Sequence, residues 1–323
     1  MIFRCLICSH ASGTFVLRKG GLVLARCNRC RFVQQDPLPE AQEYDSRYED
    51  AGGYSDELLR DKHLFQQRDE RVVHALSLLG AQGPLLDVGA GAGILMEAAR
   101  KLGWEAIGLE LAKPSLDRIR MVLRMEAHAC AIEHAPFAPG TFGAITFSHS
   151  LEHLLDPLLA LRSAAGLLRP GGLVHIAVPH WRCVKRLVAG KEIPWIFGEH
   201  ISYFTRRSLA DALDRAGFEL LEGRTLPMVC DVDYRFAIIV FERFGLGRLA
   251  RRFLRLGNRR LDSLLTDNVQ VDCSPWRLRL VIRTARAFLK AWPEWLFSKV
   301  GLGEELRVTA RRRGTGASQH GGD

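Results

Sequence analysis

The sequence predicts an α/β fold, a doubly wound and mostly parallel sheet preceded by a small cysteine-bearing β ribbon. Three observations predict it. From residue 84 short apolar runs alternate with helical stretches, tight glycine and proline turns separate them, and four of the eight cysteines stand in two Cys-x-x-Cys pairs near the start. The 323 residues are 47% hydrophobic and 25% charged, which suffices for one large core and an appendage.

Residues 1–35 read as the ribbon, where Thr14 to Leu17 and Leu22 to Leu24 flank a Gly20-Gly21 hairpin turn. Residues 36–56 read as a linker. Leu64, Val72, Val73, Leu76 and Leu79 recur at helical spacing, so a helix is expected over Leu58 to Leu79 and opens a main domain of residues 57–311. Pro84 to Val88 is the first strand and Ile94 to Leu102 a helix. Glu105 to Glu110 is the second strand, followed by a helix that opens at Pro114. Ala127 to Ile132 is the third strand and Ala144 to Ser148 the fourth. A helix over Pro157 to Leu168 stops at Arg169-Pro170-Gly171-Gly172, and Leu173 to Val178 is the fifth strand. Arg206 to Ala216 is helical, Gly217 ends it, and Phe218 to Leu221 starts the sixth strand. Residues 235–298 read as a helical insertion, Glu304 to Ala310 as the seventh strand, and 312–323 as a disordered tail.

The whole formal excess of +9 lies after residue 223, where 19 Lys and Arg stand against 10 Asp and Glu. The rest is balanced, and residues 1–53 carry no basic stripe with interleaved aromatics, so no specific nucleic acid is indicated. The longest apolar run, Phe236 to Phe241, falls far short of a membrane span. The N-terminal residues show no signal-peptide pattern, and the expected location is cytoplasmic.

The strongest functional signal is Leu85-Leu86-Asp87-Val88-Gly89-Ala90-Gly91-Ala92-Gly93, a buried strand running through alternating glycines into a helix. Glycines let a ligand approach the backbone closely, and the helix start offers free N–H groups. Glu110, 23 residues after Asp87, ends the second strand, where a carboxylate can accept both hydroxyls of a ribose. The G-x-G-x-x-G spacing of nicotinamide sites would need glycine at Ile94 or Met96, and neither register fits.

D-x-G-x-G-x-G instead resembles the class I S-adenosylmethionine (SAM)-dependent methyltransferases. The resemblance continues through Ala135-Pro136-Phe137 with Thr141-Phe142, the segment Ser148 to Pro157, and Leu167 to Gly172. It covers residues 84–224 strongly and 303–311 weakly. It implies a Rossmann-like seven-stranded sheet with SAM as cofactor. Asp87, Gly89, Gly91, Gly93 and Glu110 would bind that cofactor, joined by Ile132 and Ser148. Two departures stand out. Ala131 occupies a position where an Asp commonly meets the adenine, so backbone around Cys130 to Glu133 takes that role, and Gly143 replaces an Asp common after the Phe.

Cys5, Cys8, Cys27 and Cys30, with 18 residues between the pairs, suit four thiolates around one tetrahedral Zn2+. Four thiolates leave no open position, so the zinc is structural, and His10 is read as a surface residue. The combination is similar to the methyltransferases with an N-terminal zinc-binding domain, some of which are sugar C-methyltransferases, and in particular to their short relatives.

The acceptor is expected beyond the carboxyl ends of the strands. His149, Glu152 and His153 follow the fourth strand. The Glu152-His153 pair resembles residues near the sugar in those C-methyltransferases, with His153 as general base and Glu152 orienting it. The alternative is a capping role. His180 and Glu199-His200-Ile201-Ser202-Tyr203-Phe204 follow the fifth strand. Here His200 and Tyr203 either face substrate or pack the helix onto the sheet, and Trp181 and Trp195 would wall the pocket. Arginines flank apolar stripes in the insertion, as in Arg279, Arg283 and Arg286 beside Leu278, Val281 and Ile282. A helical lid is expected, and the alternative is peripheral contact of residues 243–296 with the inner face of a membrane.

The expected activity is methyl transfer from SAM to a small-molecule acceptor, a sugar or a glycolipid or polysaccharide intermediate. The alternatives are a lipid-like quinone, RNA or protein acceptor, or a non-catalytic SAM-binding zinc-ribbon protein.

Overall fold

The computed structural model describes residues 3–40, 44, 59, 62–226 and 297–314. In chain order the elements are β1 (Gly13–Lys19), β2 (Leu22–Cys27), β3 (Val33–Gln35), α1 (Lys62–Leu78), β4 (Leu85–Val88), α2 (Ile94–Lys101) and β5 (Ala106–Leu109). Next come α3 (Lys113–Asp117, continued by a wider turn over Arg118–Leu123), β6 (Ala127–His128), β7 (Phe142–Ser148), α4 (Pro157–Leu167) and β8 (Leu168–Pro179). The remainder are α5 (Val184–Ala189), β9 (Ser202–Tyr203), α6 (Arg206–Arg215), β10 (Phe218–Leu226) and β11 (Glu305–Arg312).

Seven strands form one sheet in the order β10-β11-β8-β7-β4-β5-β6. β4 is parallel to β5 and β7, β5 to β6, and β7 to β8, whereas β11 runs antiparallel to both neighbours. The sheet is buried on both faces, so β4 reads Leu-Leu-Asp-Val with no exposed position. Successive side chains serve opposite layers. Leu85 joins Val73, Leu76 and Met96 under α1 and α2, while Leu86 joins Leu161 and Leu209 under α4 and α6. The helices start on local signals. Asp156 Oδ1 accepts from Leu159 N at 2.9 Å with Pro157 in the first turn, and Thr205 forms a capping box with Ser208. Each cap contributes about 1 kcal/mol. From β4 the chain crosses to β5 on one side, and from β7 to β8 on the other, so the loops leaving β4 and β7 diverge and open a crevice.

The ribbon is not a separate unit. β1 and β2 form the expected hairpin, with Gly20 at φ 56°, but β3 pairs with β2 on one side and with β9 on the other. A strand from the main domain thus satisfies the outer edge of the ribbon. Other differences from expectation have local causes. The third strand stops at His128 because β5 pairs only with Ala127 and His128, and Ile132 opens a short 3-10 turn instead of ending a strand. The sixth runs on to Leu226 because β11 pairs with it from Phe218 to Leu226. β8 begins at Leu168, and β11 extends to Arg312, one residue past the expected domain edge. The expected linker lies largely outside the described residues. So do the insertion through residue 296, with its lid or membrane role, and the tail from residue 315.

Candidate active site

The donor end is built from backbone. Gly89, Gly91 and Gly93 adopt φ of 73°, 51° and 75°, the left-handed region that disfavours any side chain. A Cβ on Gly89 would stand 2.6 Å from the Ser150 Cβ, and one on Gly93 2.6 Å from Leu123 Cδ1. Glu110 reaches across from β5. Its Oε2 accepts from Gly91 N at 2.6 Å and its Oε1 from Ala112 N at 2.8 Å. Burial raises its carboxyl, and the backbone N–H groups oppose the rise. Asp87 is buried, and Thr146 Oγ1 donates to it at 2.8 Å. Burial, outweighing that hydrogen bond, pushes it to about 7. Ile132 is buried in the turn after β6, and Ser148 ends β7, where its Oγ accepts from Arg68 at 3.1 Å. The cradle fits SAM: bare glycine backbone leaves room for close approach, and a carboxylate already engages the loop amide next to where a ribose would sit.

The cluster expected to meet the acceptor is built from side chains of distant segments. After β7 the chain turns at His149, whose φ of 56° is left-handed, and Ser150 Oγ donates to Val88 O at 2.6 Å, fastening this turn to the glycine loop. The turn presents Glu152 and His153, and the segment before β9 brings His200 to them. One ligand atom from each of the three lies within 4.8 Å of the others, and the His153 and His200 rings meet edge to face at 4.6 Å. Glu152 is 1% exposed, and its only close polar contact among the described residues is the ion pair of Oε1 with His149 Nδ1 at 3.5 Å, so Oε2 has no hydrogen-bond partner there. The same holds for His200 Nδ1. Burial, reinforced by His153, pushes His200 down to about 3, so it is neutral near pH 7. Burial alone would raise Glu152, but His149, His153 and His200 outweigh it and hold the carboxyl below its ordinary range. Two proton acceptors thus lie buried, with Glu152 Oε2 and His200 Nδ1 free of a hydrogen bond among the described residues. The same donor set could also hold a divalent cation.

Behind them lies a charge network. His149 Nε2 meets Glu305 Oε1 at 2.7 Å, and its Nδ1 lies 3.5 Å from Glu152 Oε1. Burial works against the imidazolium, but the two carboxylates prevail and raise it to about 9. Burial likewise opposes the Glu305 charge, and His149, Arg307 and Arg68 outweigh it, lowering the carboxyl to about 2. Arg68 donates to Asp69 at 2.7 Å as well as to Ser148, so α1 joins the network. The sequence reading did not single out Arg68, Asp69, Glu305 or Arg307. One signal existed: Asp69 sits on the buried stripe with Val72, Val73 and Leu76, where an acid needs a buried partner.

Of the two readings open for Tyr203, its surroundings favour packing. It is 2% exposed and packs with Trp181, Trp195, Leu24 and Val33 where the ribbon meets the domain, so the tryptophans serve that interface. His180 is buried with its Nδ1 3.0 Å from Gly303 O, bracing the approach to β11. Gly143 now has a reason. A Cβ there would meet Gln82 O at 1.7 Å, so the common Asp cannot be placed on this backbone.

In the ribbon the four sulfurs converge. Cys5 and Cys30 are 3.5 Å apart, Cys8 and Cys27 are 3.6 Å apart, and all four lie within 4.8 Å. Tetrahedral thiolates at about 2.3 Å from zinc would stand roughly 3.8 Å from one another, whereas a disulfide needs about 2.05 Å. The two knuckles repeat one another. Ser9 and Arg31, each following the second cysteine of its pair, have φ of 58° and 66°, and their N–H groups donate to Cys5 O and Cys27 O. The residues fit a structural zinc ion. His10 contributes its main chain: its carbonyl accepts from Cys5 N, and its backbone also hydrogen-bonds the Cys8 sulfur.

Comparisons with known proteins agree with this geometry. Residues 60–222 match the family model described as "Methyltransferase domain". The ubiquinone biosynthesis O-methyltransferase of Aliivibrio fischeri is 38% identical over 99 residues, 29% of this chain and 42% of that protein. The protein of the same name from Xanthomonas campestris is 35% identical over 117 residues, 34% of this chain and 48% of that protein. The chain therefore spans about half the length of the curated relatives it matches. Among solved structures, the 1,6-didemethyltoxoflavin-N1-methyltransferase of Burkholderia thailandensis, solved with S-adenosylhomocysteine, superposes with a TM-score of 0.51. It is 15% identical and covers 93% of this chain and 99% of its own. A SAM-dependent methyltransferase from Thermotoga maritima gives 0.50 at 14% identity, covering 84% and 99%. These likenesses show the fold. With half the chain matched by the family model and the cradle in place, the protein belongs to the methyltransferase domain family and has the class I SAM-dependent fold.

Proposed function

We propose that this protein transfers the SAM methyl group to a hydroxyl oxygen of a small acceptor bound against Glu152, His153 and His200. The observation that carries the reading is the buried acceptor set beside the donor loop: Glu152 Oε2 and His200 Nδ1, with Glu152 Oε1 held by the ion pair to His149 at 3.5 Å. Groups with lone pairs and no proton of their own suit an acceptor that donates an O–H. Methyl transfer is an in-line displacement at a sulfonium, so the protein aligns the oxygen, excludes water and removes one proton. When bound, SAM supplies the electrophilic methyl group. Asp87, Gly89, Gly91, Gly93 and Glu110 would hold it, with Ile132 and Ser148 flanking. His153 takes the hydroxyl proton, Glu152 orients that ring, and neutral His200 accepts a second hydrogen bond from the substrate.

The relatives named ubiquinone biosynthesis O-methyltransferases support a phenolic hydroxyl of a quinol-like acceptor. The zinc ribbon, shared with sugar C-methyltransferases, supports a sugar. Incubation with SAM and a panel of catechols, prenylated quinols, nucleotide sugars and amines, read by mass spectrometry, tests the proposal. Methylated catechol or quinol, with turnover reduced roughly 100-fold in His153→Ala, is expected. Methylation of amines alone, or full turnover in both His153→Ala and His200→Ala, would overturn it.

A further inference from the structure

We propose that the zinc ribbon is a positioning element for the acceptor end, and that Gln35 is the residue through which it acts. This inference rests on the reading that the acceptor sits at Glu152, His153 and His200.

β3 carries two adjacent buried glutamines that face opposite ways. Gln34 serves the metal. Its Oε1 accepts from Leu6 N at 2.9 Å, inside the Cys5-x-x-Cys8 knuckle, and its Nε2 donates to Arg4 O at 3.0 Å. The other knuckle is tied to the start of the same strand, since Cys27 N donates to Phe32 O at 2.8 Å. Gln35 serves the acceptor end. Its Nε2 donates to Gly198 O at 2.6 Å and to the carbonyl of His200 itself at 3.0 Å, and its backbone N–H donates to Ile201 O at 2.9 Å. Ile201 N in turn donates to Glu152 O at 2.9 Å. Hydrogen bonds joined by the Gln34–Gln35 peptide link therefore lead from a cysteine knuckle to the main chain of His200 and of Glu152.

Packing follows the same path. Val33 pairs with Tyr203 and Gln34 with Ser202 across the β3–β9 ladder, and Phe32 meets Phe204 at 5.2 Å between ring centroids. By contrast, no hydrogen bond among the described residues joins 3–35 to the cradle of Gly89, Gly91, Gly93 and Glu110. A ribbon this short buries too little surface of its own to fold unaided and needs its metal to stay folded. Losing the zinc should therefore release β3, then the segment 198–204, then the turn at 150–154, and leave the cofactor loop in place. A ribbon acting as a mere appendage would transmit nothing past residue 35.

The test uses the full-length, zinc-loaded protein in two perturbed forms: treated with a chelator, and as Gln35→Met, which keeps the side-chain volume but removes both amide donations. Hydrogen exchange is followed by peptide, histidine ring signals by 15N NMR, and S-adenosylhomocysteine uptake by calorimetry. Expected in both forms is exchange faster by roughly five- to tenfold per lost hydrogen bond over 198–204, and a smaller rise over 150–154. The His200 ring signal should shift, while exchange at 85–93 and S-adenosylhomocysteine affinity stay unchanged. Gln35→Asn, one methylene shorter, should restore part of the protection. Exchange changes confined to residues 3–35 would overturn the proposal, and so would a global rise with loss of S-adenosylhomocysteine uptake, because then the ribbon would only be stabilising the whole fold. None of these readouts requires the acceptor, so a failed acceptor assignment remains distinguishable from a failed coupling.

Discussion

The two ends of the crevice are made in opposite ways. The donor end is a local object: one strand, one glycine loop and one carboxylate from the next strand that accepts from main-chain amides on either side of it. The acceptor end is a convergence of His149, Glu152 and His153 after β7, His200 before β9, Glu305 on β11, Arg68 on α1, and Gln35 from the ribbon. A backbone cradle is rigid and changes little with what surrounds it. A side-chain cluster held by distant segments can be re-specified by changing one of them. The difference teaches why a fold keeps its cofactor while its substrate varies.

The comparison predicts that the acceptor end has more stability to lose. Glu305 is fully buried between His149 and Arg307. Removing one member of a buried charge group costs about 3–5 kcal/mol because the remaining charges stay uncompensated. Glu305→Ala should therefore lower unfolding free energy by that amount in urea titration. A loss below about 1 kcal/mol would show that solvent already screens the network. Next comes the donor end. Gly89→Ala places a side chain at φ 73° against Ser150, and strain plus overlap amounts to about 2–4 kcal/mol. S-adenosylhomocysteine affinity should fall at least roughly 30-fold by calorimetry. The ribbon metal, measured as bound zinc, should be unaffected.

This asymmetry also explains what the sequence made legible. The glycine loop, Glu110, the order of strands and the cysteine pairs are all short-range patterns, so spacing alone announced them. Glu152 and His153 could be picked out because they lie just past a strand and His200 because it lies in the segment after the fifth, yet their meeting depends on a crossing between segments nearly 50 residues apart. Glu305 and Arg68 were invisible because a charge in sequence does not declare whether water or a partner will neutralise it. Tyr203, Trp181 and Trp195 stayed ambiguous for a related reason. Aromatic residues after a strand suit a pocket wall and a domain interface equally, and only the β3–β9 pairing decides. The Asp-to-Gly departure at 143 was visible but unexplained until the Gln82 carbonyl was placed against it.

The charge network gives a pH test that separates the ends further. His149 is raised from 6.5 to about 9, so its stabilisation is complete below 6.5 and is lost as pH rises through 9. Glu305 is lowered from 4.5 to about 2, so its contribution is complete above 4.5 and is lost as pH falls through 2. The acceptor end is thus strongest between 4.5 and 6.5. Unfolding free energy should decline from pH 6.5 to 9, and His149→Asn, which tolerates the left-handed backbone, should flatten that decline. An equally steep alkaline loss in the His149→Asn protein would assign it to another group.

The smallest effect belongs to Glu110, and it tests how far the donor end depends on side chains at all. Both carboxylate oxygens accept main-chain N–H groups, from Gly91 and from Ala112. Gln at 110 can accept through only one oxygen and would turn an amide donor toward an N–H group. One of the two loop contacts is therefore lost, and the charge with it. A hydrogen bond to a charged group contributes about 1.5–3 kcal/mol, and the neutral bond that remains about 1. The Glu110→Gln protein should bind S-adenosylhomocysteine roughly 10-fold more weakly, and its unfolding free energy should fall by about 1.5–2 kcal/mol. Cofactor affinity unchanged by this substitution would mean that the three glycines carry the cradle alone. Loss of binding as complete as in Gly89→Ala would mean that the donor end, too, is a side-chain site.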